Sequence, residues 1–284
     1  MAKRFRFLLV LPFSLPAGAA THYQPTGGSK EQDLMNHAFL APLLEEVEWE
    51  LHPGPPAPHG AWPVETREEF LLTGAARLPV VREACESGRY DAIVLLGGGD
   101  PGYLECREIG RRYGIPVTAN AHAQMHVATM LGHRFSILDV SETHNAHMAE
   151  LVVRYRMTEH CASIRNLDVP LPRPVHANRP NLQGEAERHA RGEPSAMLEA
   201  AVASACAAIE EDGAEVLLLG CSAAFWLREP LQERLSGMGW DVPVLEGYRC
   251  GIELAKLMVN LGVDASGLAF PGDPPPRSRK RRLV

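Results

Sequence analysis

The feature that most constrains this chain is a pair of matching stretches. In the first, Tyr90-Asp91-Ala92-Ile93-Val94-Leu95-Leu96 runs into Gly97-Gly98-Gly99-Asp100-Pro101-Gly102. In the second, Ala214-Glu215-Val216-Leu217-Leu218-Leu219 runs into Gly220-Cys221-Ser222-Ala223-Ala224. An unbroken aliphatic run reads as a strand buried on both faces, and the small residues behind it as a tight turn into a helix. Setting Asp91 against Glu215 puts Gly97 opposite Cys221, whereas matching the two Leu-Leu-Gly triplets puts Gly98 there. On either register a glycine faces a cysteine. Cys221 then ends a strand beside a helix start, where ligands bind in open α/β sheets and amides can stabilise a thiolate. The alternative is a buried, inert cysteine.

The rest of the chain alternates in the same manner. Hydrophobic patterning predicts strands at 5–11, 47–51, 115–118, 134–139, 162–167 and 242–245, besides the two aliphatic runs. It predicts helices at 31–46, 66–87, 119–131, 141–156, 195–211, 224–235 and 247–261, with one more behind Gly102. Thr66 with Glu69 three residues on resembles a capping box. This regular alternation implies an α/β fold with mainly parallel sheets. Residues 12–29 read as a loop at the carboxyl end of the first strand, and 170–194 as a long surface loop or lid.

Lys3-Arg4-Phe5-Arg6 followed by an apolar run imitates a secretory signal. Pro12 and Pro16 cut that run short, so it is read as the first strand. No apolar stretch reaches the length a transmembrane helix requires, which leaves no membrane partner. Six scattered cysteines without a Cys-x-x-Cys pair suit neither a zinc ribbon nor a disulfide scaffold, and point to a reducing cytoplasm. The net charge of −7 over 284 residues includes five cations in the last eight: Arg277, Arg279, Lys280, Arg281 and Arg282. Without them 23 positive charges stand against 35 negative, a net −12 for the body. Such a body offers no nucleic-acid surface. The proline-rich basic tail from 271 reads as disordered and solvated, with RNA or another anionic surface as its other use.

With both strand-turn units in view, the chain resembles the aspartate/glutamate racemase superfamily, and within it most of all the hydantoin racemases. The residues that carry this are Gly99-Asp100-Pro101-Gly102, Gly114-Ile115-Pro116-Val117, Met125-His126 with Met130-Leu131-Gly132-His133-Arg134-Phe135-Ser136, Gly220-Cys221-Ser222-Ala223, and Pro243-Val244-Leu245-Glu246-Gly247. The resemblance runs from about Phe5 to Gly262. It implies two Rossmann-like lobes related by a pseudo-twofold axis, with the active site in the cleft between them. The lobes are expected at 1–118 plus 245–262 and at 119–244, with 263–284 as tail.

It also implies a homo-oligomeric enzyme that needs no cofactor or metal and acts on a small carboxylate, imide or hydantoin. In such enzymes two facing cysteines usually remove a proton beside a carbonyl and return it from the opposite face, while amides and hydroxyls hold the enolate-like intermediate. Here Cys221 stands and its partner is missing. That arrangement is similar to arylmalonate decarboxylase, in which a single cysteine protonates an enediolate after carbon dioxide leaves. The resemblance therefore implies a one-cysteine racemase or isomerase first and a decarboxylase second. A cysteine-nucleophile hydrolase or isomerase and a non-catalytic small-molecule binder stay open.

Substrate-contacting positions carried over are Phe13, Ser14, Gly97, Gly98, Gly99, Asp100, His122, Asp139, Ser222 and Glu246. Phe13 and Ser14 stand where Asn-Pro-Asn-Thr is common, and Asp139 where a threonine is usual. Asp100 also reads as the cap of the helix that follows it, and Glu246 as the cap of the last helix. His122/His126 and His144/His147 have helical spacing that suits a metal, but no supporting motif accompanies them, so they read as partly exposed helical histidines. Tyr248 and Trp226 read as core or lobe-contact residues.

Overall fold

The computed structural model describes residues 4–16, 19, 28–34, 36–272 and 277. In chain order the elements are β1 (Phe5–Val10), α1 (Lys30–Asp33), α2 (His37–Leu44), β2 (Val47–His52), α3 (Arg67–Glu86), β3 (Ala92–Leu95), α4 (Tyr103–Tyr113), β4 (Val117–Ala119) and α5 (Asn120–Leu131). There follow β5 (Phe135–Asp139), α6 (Glu142–Arg154), β6 (Cys161–Asn166), α7 (Leu182–Ala190), α8 (Ala196–Glu210), β7 (Val216–Leu219), α9 (Arg228–Gly237), β8 (Val244–Leu245) and α10 (Gly247–Leu261).

Among the described residues the strands form two four-stranded sheets, ordered β2-β1-β3-β4 and β6-β5-β7-β8. Every strand pair is parallel. The two aliphatic runs, β3 and β7, therefore hold the same place in their respective sheets. All four residues of each are buried, which explains why neither alternates with polar residues. Ile93 and Leu95 from β3 join Val216 and Leu218 from β7 in one shared core. Ala92 and Val94 face a second core with Tyr248 and Ile252 of α10, and Leu217 and Leu219 face a third with α8 and α9. A layer of buried side chains thus binds the two sheets into one body. The amino-terminal run is an interior strand, and among the described residues no helix is long and apolar enough to cross a membrane.

Three expectations are corrected. The 31–46 helix is two pieces, because Leu34 turns into the core at φ −84, ψ 88 and the chain restarts at Asn36. The 170–194 segment is not a bare loop, since it contains a short 3-10 turn and α7. Asn181 caps α7, and the buried Glu185 accepts from Ser195 Oγ at 2.8 Å and from the Met197 amide at 3.1 Å. A helix anchored by one carboxylate and Leu182 carries little apolar periodicity. The 224–235 helix is a 3-10 turn, Ser222–Leu227, followed by α9. Pro230 has no amide to donate and is tolerated in the first turn of α9, so the α-helix begins just before it. Of the 12–29 loop, residues 17, 18 and 20–27 lie outside the described residues, as does most of the basic tail.

Candidate active site

The site is made where β3 and β7 end. Leu96 donates its amide to Val10 at 2.9 Å, and Gly220 donates to Leu138 in the same way at 2.9 Å. These matching bonds fix the register that the sequence left open: Leu96 corresponds to Gly220 and Gly97 to Cys221. Gly97 has φ +105, and a Cβ built there would lie 2.9 Å from the Pro12 ring. Asn120, with its amide oriented to satisfy both neighbours, accepts from the Gly97 amide at 3.2 Å and donates to Gly247 at 3.3 Å. Gly97→Cys, which would restore the missing thiol on paper, is expected to cost about 1–3 kcal/mol of stability. A thermal melt reads this as a lowered Tm, with no gain in turnover.

The two turns meet at the next position. A Cβ on Gly98 would sit 2.8 Å from the Gly220 carbonyl, so only glycine lets the backbones close. Ser222 Oγ accepts from the Gly98 amide at 2.8 Å and also bonds Tyr248. Ser222 thus ties the two sheets together at the floor of the cleft.

Between the turns lies a cavity of about 30 Å³, space for roughly one water. Cys221, His144, Phe13, Phe70, Val64 and Leu171 are on its wall with Gly97, Gly98 and Ser222. Burial pushes the Cys221 thiol up to about 12 and the Asp139 carboxylate adds to it, while the Ala223 and Ala224 amides pull the other way. The group is a protonated thiol at neutral pH, an acid rather than a resting thiolate.

Behind it, the Asp139 carboxylate rests against Gly220 and takes two bonds, from its neighbour Val140 at 2.8 Å and from His144 Nδ1 at 2.6 Å. Burial opposes a charge on His144, but the charge and the hydrogen bond of Asp139 outweigh it and raise the imidazole above its ordinary value. His147, one turn on, stacks on Phe70 at 3.7 Å and donates Nε2–H to the Gly99 carbonyl at 2.7 Å. Burial pushes His147 down to about 4.

The roof is a clasp between the lobes. Arg173 forks onto Glu69 with two bonds of 2.7 Å, donates to the Pro63 carbonyl at 3.1 Å and lies 3.5 Å from Glu65. Trp62 Nε1 also donates to Glu69, at 2.7 Å. Burial resists the charge on Glu69, yet the Arg173 bond and its companions bring it down to about 2. Glu65 in turn receives the Ser141 hydroxyl at the start of α6.

Several carried-over positions lie elsewhere. Ser14 is spent on a bridge to Pro56 and on Gly54. Asp100 does not cap α4, as expected, but α5: its two oxygens accept from Ala121 and His122 at 2.9 and 2.8 Å. Its φ of 48 turns the side chain across to that helix, and burial lifts it to about 6. His122 is not half-exposed. It is enclosed by Tyr103, Tyr155 and His126, and burial pushes it down to about 2. His144 and His147 are buried as well. Glu246 caps α10, accepting from Tyr248 and Arg249. None of Ser14, Gly99, Asp100, His122, Asp139 and Glu246 lines the cavity.

The roles of three residues escaped the sequence reading, which named only the first of them, as a partly exposed helical histidine. His144 had a signal, an aspartate at a strand end five residues before it with Ser141 as cap between. Arg173 had none, because its partners are 104 residues away. Arg77 is fully buried in α3, where it donates to the carbonyls of Val10 at 2.6 Å, Leu96 at 2.9 Å and Pro101 at 3.4 Å.

Comparison with known proteins adds a family match, two relatives and two solved structures. The family model described as Asp/Glu/Hydantoin racemase matches residues 44–255. A hydantoin racemase of Pseudomonas sp. (strain NS671) is 29% identical over 205 residues, 72% of each chain. One of Rhizobium meliloti is 27% identical over 203 residues, covering 72% of this chain and 74% of that one. Among solved structures, allantoin racemase from Klebsiella pneumoniae superposes with a TM-score of 0.67 at 22% identity, covering 98% of this chain and 97% of that one. Arylmalonate decarboxylase superposes at 0.52 and 14%, covering 89% and 92%. At these identities the superpositions establish the two-lobed fold.

Proposed function

The chain belongs to the Asp/Glu/hydantoin racemase family, and from that premise we propose that it is a cofactor-independent racemase of hydantoin type in which Cys221 gives and takes a proton at a carbon beside a carbonyl. The observation that carries this reading is the placement of a protonated thiol on the wall of the cleft where the two sheets' equivalent turns meet. A carbon acid is weak, so returning a proton to its enolate needs a positioned acid and the exclusion of water. Cys221 supplies the acid.

The walls also bear on the substrate. Phe13, Phe70, Val64, Leu171, Pro12 and Pro63 are apolar, which suits a five-membered imide bearing an apolar substituent better than a free acidic amino acid. The relatives named hydantoin racemases point the same way. A second reading, decarboxylation of a substituted malonate, is favoured by the bare Gly97 opposite Cys221, since that reaction needs one acid and no opposing base.

Incubation in deuterated buffer separates the two. A racemase incorporates deuterium at the stereocentre of substituted hydantoins while optical rotation decays, whereas a decarboxylase releases carbon dioxide from arylmalonates and leaves hydantoins untouched. Turnover of neither class removes both readings.

A further inference from the structure

Position 97 carries no side chain, and Pro12 leaves no space for one. The group that works with Cys221 must therefore come from another part of the wall. Among the described residues lining the cavity, Cys221 and His144 are the titratable side chains. We propose that His144, oriented by Asp139, is the second proton-transferring group of the cleft and takes over the task left vacant at Gly97.

Three observations converge on this assignment. Asp139 accepts from Nδ1 at 2.6 Å, and because a carboxylate only accepts, this fixes the proton of the neutral imidazole on Nδ1 and leaves the Nε2 lone pair free in that form. Phe70 holds the ring from the side, with centroids 5.5 Å apart and planes at 64°. Nε2 makes no hydrogen bond among the described residues and is not one of the sealed, unpaired polar atoms, although the ring as a whole is only 2% exposed, so it remains accessible from the cavity that His144 lines. The cavity has room for about one water, and both His144 and Cys221 line it.

The inference rests on the racemase reading. Nε2 takes the proton from the substrate carbon, the C–H electron pair moves into the neighbouring carbonyl, and the thiol of Cys221 delivers its own proton to the other face of that carbon. This leaves an imidazolium and a thiolate. They run the reverse reaction on the opposite enantiomer, or reset when the imidazolium passes its proton to the thiolate through solvent. Asp139 touches no substrate and acts by positioning.

The test follows each enantiomer of 5-benzylhydantoin separately by proton NMR in deuterated buffer. Wild-type protein should exchange and invert both hands. Cys221→Ser should lose inversion and still exchange one hand with retention, because His144 can remove that proton and return a deuteron. Adding His144→Gln to Cys221→Ser should remove this residual exchange, and His144→Gln alone should slow inversion at least about 100-fold. Asp139→Asn provides a second route should His144→Gln fold poorly, and should slow the one-handed exchange in the Cys221→Ser background by about tenfold or more. Cys221→Ser that exchanges neither hand, or His144→Gln that inverts within about threefold of wild type, overturns the assignment and leaves the racemase reading standing. Wild-type protein that exchanges neither hand overturns both.

Discussion

Cys221→Ser is expected to lose racemisation by roughly 10²–10⁴-fold while melting within a degree or two of the parent protein. The substitution exchanges sulfur for oxygen at a wall that is already packed, so the fold has little to notice. The chemistry has a great deal to notice, because an alkoxide is a far poorer leaving base than a thiolate and the serine hydroxyl is a correspondingly poor acid. Burial and Asp139 already hold the thiol up to about 12, and the same surroundings act on a hydroxyl whose unperturbed acidity is lower still. Initial rates of optical decay alongside a thermal melt make the measurement. Full turnover in the serine variant would show that the proton is carried by another group.

The second large effect is on stability. Arg77 is fully buried and its guanidinium closes off three backbone carbonyls at the ends of β1 and β3 and in the Asp100 turn. Burial lowers its affinity for a proton only to about 10, so it stays charged. Arg77→Met fills much of the same space and removes the guanidinium's bonds to all three carbonyls, of which Val10 keeps the Leu96 amide as a donor while Leu96 and Pro101 lose this partner. Stranding buried carbonyls of this kind costs about 2–4 kcal/mol, which corresponds to a fall in Tm on the order of 10 °C for a chain of this size. Arg77→Lys should recover part of the loss, since an ammonium can reach one or two carbonyls but cannot fork across all three. A methionine variant melting within about 2 °C of wild type would mean that the guanidinium is dispensable.

What the sequence made legible follows from what is local in the structure. Aliphatic runs buried on both faces announce their strands, and a glycine-rich turn behind each announces the cleft, so β3, β7 and Cys221 could be found without coordinates. The equivalence of Gly97 and Cys221 could not, because it depends on which carbonyls accept from Leu96 and Gly220, and two alignments of the same letters fit equally well. His144 was hidden differently. Its spacing to His147 read as a half-exposed helix face, while the deciding contact runs back to Asp139 across the β5–α6 turn. Asp100 shows the opposite failing: a residue next to a helix start was matched to that helix, and a left-handed backbone sent its carboxylate to α5. Arg77 and Arg173 belong to contacts between distant segments, for which hydrophobic periodicity carries no signal.

The clasp of Arg173 on Glu65 and Glu69 has a consequence for traffic. A chamber of about 30 Å³ is smaller than an imide ring, and the clasp holds together the segments that carry Pro63 and Val64 on one side of its wall and Leu171 on the other. Arg173 belongs to the chain between β6 and α7, whereas both carboxylates precede or begin α3, so the clasp ties the two segments to each other. For the racemase proposed above, an imide ring would need these segments to part on entry and again on release. In the racemase proposed above, the ion pairs that hold the chamber's walls together would be broken and remade with each substrate taken in.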